Sequence, residues 1–239
     1  MSHFTALVIG PNPDKQLAPY QDAKWDWYTL GGRWRGFFKL KHPNQKTVLG
    51  SRGAFSNSPE FDSDQAFKKN IDFKGMEKAE SQKAKEKYEM VERLFGGEIP
   101  KIEHRWKDII NEKNEKYNKM NIDEKREIYL AQPALIKKEE LRKQCWPENT
   151  CPFSKEERKM LVWLDLEDYQ CSKKEYIHTA KAQAYTTFAV IKDGKWYNRC
   201  VSNEMEKDEW CNKFYTLIHD LPDKTLLSFY DCHILKSKR

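Results

Sequence analysis

The chain has 239 residues, enough for one core of ordinary size and for one or two domains. Hydrophobic residues make up 38% and charged residues 33%, a polar balance, while an aromatic fraction of 13% excludes wholesale disorder. A formal net charge of +6 is too mild to mark a nucleic-acid binder by itself, and no run approaches the ~20 apolar residues that a membrane helix needs.

In chain order, residues 4–9 (FTALVI) form a short apolar run closed by Gly10-Pro11, which predicts a strand buried on both faces. The run carries neither a basic leader nor a cleavage site, so a cytoplasmic protein with reduced thiols is expected. Pro11, Pro13 and Pro19 predict an irregular loop. Residues 34–41 alternate with period two, and this predicts a strand with Trp34, Gly36, Phe38 and Leu40 on one face. Arg35, Phe37, Lys39 and Lys41 fall on the other. Residues 47–49 suit a returning strand, and residues 50–64, rich in Gly, Ser and Asn, suit a loop.

From about Phe73 the period becomes helical. Ala84, Tyr88, Val91 and Phe95 make an amphipathic stripe, stopped by Gly96-Gly97. A second helix is predicted from Ile99 to Tyr117. A third is capped by Asn121 or Asp123 and ends before Pro133. Ser154 with Glu157 and Ser172 with Glu175 match the capping box. Strand periodicity then returns: residues 186–191 and 196–199 flank Asp193-Gly194, the pairing that a type I′ hairpin turn favours. Asn203 caps a helix carrying Trp210, Phe214, Leu217 and Ile218, and residues 226–234 make a last strand. Isolated terminal strands are marginal in water, so the two chain ends are expected to share one sheet. The fold class is therefore α+β: a small mixed or antiparallel sheet from residues 1–63 and 182–239, with a charged helical insertion at 64–181.

Four constellations could carry chemistry. Trp25, Asp26, Trp27 and Tyr28 precede Gly31-Gly32-Arg33-Trp34-Arg35. Aromatic faces stack on bases, arginine forks suit phosphate, and paired glycines let a backbone approach an anion. The segment lacks the Gly-Lys-Ser/Thr ending of a phosphate loop, and an aromatic core corner with an Asp26–Arg33 ion pair is the competing reading. The basic face Arg35, Phe37, Lys39, Lys41 could track a phosphate backbone or simply guard an edge strand. Asp231 and His233 share one strand face, an acid beside a base, with Cys232 on the other, so these two and Asp26 are the catalytic candidates. His3 comes near them if the terminal strands are neighbours. Finally, Cys145 and Cys151 are separated by five residues, wider than structural zinc pairs, so neither a metal nor a cofactor is expected.

The start Ser2-His3-Phe4-Thr5 with Leu7-Val8-Ile9-Gly10, then Trp25-Asp26-Trp27-Tyr28, Gly31-Gly32-Arg33-Trp34 and the late Asp231-Cys232-His233-Ile234, resembles a group of uncharacterised proteins of bacteriophages and bacteria. The resemblance covers both ends of the sheet and little of the middle, and it carries over no catalytic residue. It implies an accessory protein of phage type that antagonises host defence. The leading expectation is a binding protein for a nucleotide, a nucleic acid or a host nucleoprotein effector, with Trp25, Trp27, Tyr28, Arg33, Trp34, Arg35, Phe37, Lys39 and Lys41 as its surface. The alternatives are an enzyme acting on a nucleotide or nucleic acid, and a protein-interaction module working through the helical insertion.

Overall fold

A computed structural model describes residues 2–43, 59–111, 113–199 and 205–234. In chain order they form β1 (Ser2–Ile9), α1 (Pro13–Leu17), β2 (Trp27–Leu30), β3 (Phe38–Lys39), β4 (Asp62–Ser63), β5 (Gln65–Phe67) and α2 (Phe73–Leu94). There follow α3 (Trp106–Ile110), α4 (Ile122–Leu130), α5 (Pro133–Lys143), α6 (Lys155–Trp163) and α7 (Lys173–Ala182), then β6 (Ala189–Lys192), β7 (Lys195–Asn198), α8 (Met205–His219) and β8 (Leu226–Ile234). The expected strand at 47–49, most of the expected loop at 50–64 and the Asn203 cap lie outside the described residues.

The fold is α+β, and strands from both chain ends share one mixed sheet. Its order is β2-β8-β1-β6-β7, with β5 also paired to β8. Only β1 and β6 run parallel. Strands β2 and β5 lie end to end along one edge of β8, facing residues 230–233 and 226–228 respectively. The chain leaves β2 at Gly31, whose N–H donates to the Phe229 carbonyl. It returns at Asp64, whose carbonyl accepts the Phe229 N–H. The hairpin β6–β7 turns on Asp193 and Gly194, both at positive φ (51° and 71°), as the Asp-Gly pair predicts.

The chain divides into two compact units, Met1–Glu80 with Ala180–Arg239, and Ser81–Thr179. In the first, both sheet faces are covered, which explains the unbroken apolar run of β1. Leu7, Ile9, Val190, Leu227 and Phe229 pack with Trp210, Phe214 and Ile218 of α8. Phe4, Ala6, Val8, Ala189, Tyr230 and Cys232 pack on the opposite face with Leu17 and Trp25.

The second unit has its own core, which Tyr88, Val91, Phe95, Leu135, Leu161 and Tyr169 build among others. Asn121–Glu124 and Ser154–Glu157 close both bonds of a capping box, and Ser172 exchanges the same bonds with Glu175. The helix expected from Ile99 to Tyr117 is reduced to α3. Residues 102–104 are instead held by side chains: Gln170 Oε1 accepts from Ile102 N–H, and Gln132 Oε1 accepts from Glu103 and His104 N–H. Those bonds take donors that a helix would otherwise use.

The strand expected at 34–41 shrinks to β3, paired only with β4. Gly32–Trp34 is instead a 3₁₀ turn, and Gly31, Gly32 and Gly36 sit at φ of 70°, 51° and 80°, which no strand accommodates.

Candidate functional site

Alternation along β8 puts Leu227, Phe229, Asp231 and His233 on one face. The first two are core; the last two are polar. The face therefore changes from packing surface to chemistry along a single strand. Register lines the polar half into rows. Trp27, His233 and His3 stand opposite one another across β2, β8 and β1, and Thr29, Asp231 and Thr5 form the next row.

The three rings of the first row touch one another. Trp27 stacks on His233 with centroids 5.2 Å apart and planes 8° apart, and His3 meets His233 edge-on at 4.9 Å. His3 also meets Trp27 edge-on at 5.3 Å. Each imidazole is tethered through Nδ1 to a carboxylate: His3 to Asp231 Oδ1 at 2.8 Å and His233 to Asp26 Oδ1 at 2.6 Å. Asp231 is 1% exposed and His233 8%. The His233 Nε2 atom is buried, with no hydrogen-bond partner among the described residues. Burial works against ionisation of the Asp26 carboxyl, but the bonds from His233 and the backbone outweigh it and hold it below the usual carboxylate range.

Beside these rows the Gly31–Gly36 loop is clamped by two buried acids. Asp231 Oδ2 accepts the Arg33 N–H at 3.0 Å. Asp64 Oδ1 accepts the N–H groups of Gly36 and Phe37, and its Oδ2 is buried and unpartnered. Burial pushes the Asp64 carboxyl up, against the pull of those two N–H groups and of Arg35. Phe37 then stacks on Phe229 at 3.9 Å. The glycines are required by contact. A Cβ on Gly31 would stand inside the Asp64 carboxylate, and one on Gly32 would stand inside Asp231. With its backbone fixed from below, the loop turns Arg33, Trp34 and Arg35 outward, all exposed.

The expected residues therefore separate. Arg33, Trp34 and Arg35 lie on one exposed loop, and Trp27, 43% exposed, forms part of the imidazole row. Asp26, Asp231 and His233 meet there as two His–carboxylate pairs once His3 is included. No protein-family model, no curated protein and no solved structure matches this chain, so the site is read from its own geometry.

Several expectations are corrected. Trp25 is fully buried between Phe4, Tyr20, Tyr28 and Trp196 on the opposite face, so it cannot stack on a ligand. Tyr28 points to that same face, against Trp25 and Tyr230. Phe37 is a packing residue. The basic face dissolves: Lys39 pairs with Asp72 at 3.6 Å and Lys41 donates to the Lys69 carbonyl. The Asp26–Arg33 ion pair does not form; Asp26 serves His233 instead. Cys232 is buried on the face away from His233, and burial pushes its thiol up to about 12, which excludes a Cys–His nucleophile. Among the described residues no group of His, Cys, Asp and Glu could hold a metal ion. No helix among them is long and apolar enough to cross a membrane.

Asp64 was not singled out by the sequence. Its neighbours Asp62, Ser63 and Gln65 are polar too, so nothing local marks it as a buried acid.

Proposed function

We propose that the protein binds a phosphate-bearing nucleotide or single-stranded nucleic acid on the Trp27–His233–His3 row and the adjoining Gly31–Gly36 loop. The observation that carries this reading is the clamp. Two buried carboxylates hold a glycine-rich backbone so that Arg33, Trp34 and Arg35 face solvent beside the exposed Trp27. Neither guanidinium makes a hydrogen bond or ion pair within the described residues, so both are available to phosphate. Trp34 and Trp27 offer faces to bases, each stacked base contributing ~1–3 kcal/mol. The resemblance of the sequence to phage-encoded proteins supports a ligand met in a host cell, with antagonism of host defence as the role that this binding would serve.

Titration with fluorescent oligonucleotides at rising salt tests the reading. Affinity falls steeply with salt, and Arg33→Ala with Arg35→Ala reduces it and flattens that dependence, because each phosphate contact contributes to the slope. Affinity that ignores both salt and these substitutions overturns it.

A second reading has its own support in the helical unit. Trp163 is 81% exposed at the end of α6, and Ile122 and Leu130 of α4 are more than half exposed. Large exposed apolar side chains suit a protein partner. Trp163→Ser with Leu130→Ser would then abolish capture of a host protein while the unit stays folded.

A further inference from the structure

The two His–carboxylate pairs do more than binding requires. Arginines and tryptophans hold a nucleic acid; two imidazoles, each oriented by a carboxylate, are the apparatus of proton transfer. Resting on the binding reading above, we propose that His3 and His233 form a general acid–base pair that cleaves single-stranded RNA by attack of a ribose 2′-hydroxyl on the adjacent phosphorus.

Three observations converge on this. First, both rings use Nδ1 toward a carboxylate, so Nε2 is the working nitrogen of each. Second, the two rings are in edge-on contact, centroids 4.9 Å apart, so a phosphate that reaches one lies beside the other. Third, His233 Nε2 is buried and unpartnered on a residue that is 8% exposed. A buried polar atom left unsatisfied costs about 1–3 kcal/mol, and a catalytic role is a reason for a fold to keep one. Trp27, stacked on that ring and 43% exposed, is placed to give way to a base and admit the substrate.

Substrate choice follows from what the acids are doing. Asp26 and Asp231 are both committed to imidazoles, so the nucleophile is best carried by the substrate itself. RNA carries one beside every phosphodiester. In the step, His233 Nε2 takes the 2′-hydroxyl proton as the 2′-oxygen–phosphorus bond forms. The bond from phosphorus to the 5′-oxygen breaks, and His3, as imidazolium, gives its proton to that oxygen. The products are a 2′,3′-cyclic phosphate and a 5′-hydroxyl. Arg33 and Arg35 hold the phosphate oxygens, and Asp26 and Asp231 position the rings.

A fluorescent DNA oligonucleotide carrying one ribose, beside its all-deoxy counterpart, tests the proposal. Cleavage is expected only at the ribose, leaving a cyclic phosphate identified by mass. His3→Asn and His233→Asn each lower the rate by about 10²-fold or more. Asp26→Asn lowers kcat and leaves KM little changed, which a purely structural role would not produce. The product assay on the unaltered protein needs no variant, so a misfolded substitution cannot decide the outcome. If the all-deoxy strand binds and the ribose strand stays intact, this inference fails and the binding reading stands. If neither strand binds, both fail. Cleavage that survives both histidine substitutions also overturns it.

Discussion

Gly32 lies directly against Asp231. A Cβ at Gly32 would overlap the Asp231 side chain, and the next residue, Arg33, donates its N–H to Asp231 Oδ2 at 3.0 Å. The acid that orients His3 is thus also the peg on which the arginine loop hangs. Chemistry and presentation share one buried carboxylate, and the loop cannot move without disturbing the His3 pair.

That sharing predicts a graded cost for adding one methyl group. Gly194, at φ 71° with no heavy atom within 4 Å of a built Cβ, meets only the left-handed backbone penalty on change to Ala, about 1 kcal/mol. Gly32→Ala meets that penalty and the Asp231 contact together, so its loss is about 2–3 kcal/mol. Nucleic-acid affinity falls in parallel because the loop is displaced. Chemical denaturation of the two variants measures the difference; equal losses would remove the clamp from the account.

The same contact shows where the sequence was readable and where it was not. The periodicity of residues 4–9 and 226–234, the Asp-Gly turn and the caps at Asn121 and Ser154 are local signals, and each formed its element. Gly31-Gly32-Arg33 was ambiguous because a glycine pair looks the same whether it cradles a ligand or clears a carboxylate. What decides it, Asp231, lies 198 residues from Arg33 along the chain. Trp25 and Trp27 are two apart, and strand parity would put them on one face. Trp25 lies ahead of β2 and the chain bends at Asp26, which breaks that parity, so Trp25 goes into the core and Trp27 to the site. Asp64 was invisible, as was the hold of Asp231 on the loop, because Gly36 and Phe37 for the one and Arg33 for the other are made adjacent only by the fold.

Two acids of the site respond to pH in opposite senses. The Asp26 carboxyl is held below its ordinary value of 3.8, so the stability it adds is present above that pH and is lost as pH falls through the folded value. Asp64 is raised above 3.8, so its contribution is complete below that pH and is lost as pH rises through its folded value. Thermal melts across acid pH, on the unaltered chain and on Asp26→Asn and Asp64→Asn, separate them. The advantage of the unaltered chain over Asp26→Asn shrinks as pH drops. Its standing against Asp64→Asn worsens as pH rises. Slopes of one sign for both would contradict the arrangement.

Thiol reactivity checks the burial of the two sheet faces and of the helical core. Cys145, Cys211 and Cys232 are buried, whereas Cys151 and Cys171 are partly exposed. Thiolate is the reacting form, and burial pushes the Cys232 thiol up to about 12. Brief alkylation of the native protein at mild alkaline pH, read by peptide mass, should mark positions 151 and 171 and spare 232 until denaturant is added. The sign also fixes a stability limit. Since the folded value exceeds the ordinary 9.0, unfolding is favoured progressively as pH rises from 9 toward 12. Early labelling of Cys232 would mean that the face opposite the histidines is not closed.

In the helical unit the sharpest prediction concerns Gln132, which is 5% exposed and stands in for a length of missing helix. Its Oε1 accepts from Glu103 and His104, and its Nε2 donates to the carbonyls of His104 and Tyr129 at 2.9 and 3.1 Å. Three of these groups depend on this amide alone, and the Tyr129 carbonyl also accepts the Gln132 backbone N–H. Gln132→Leu keeps the volume and removes every partner, leaving groups whose burial unsatisfied costs about 1–3 kcal/mol each where water cannot reach them. We expect a loss of about 3 kcal/mol or more for this unit, seen as early hydrogen exchange at residues 103 and 104, while exchange in β1 and β8 stays unchanged. Gln132→Glu separates hydrogen bonding from size: it keeps the acceptor for Glu103 and His104 but cannot donate, so it should fall between the native residue and leucine. Were leucine no worse than glutamate, the amide would be filling space and the extended course of residues 102–104 would need another cause.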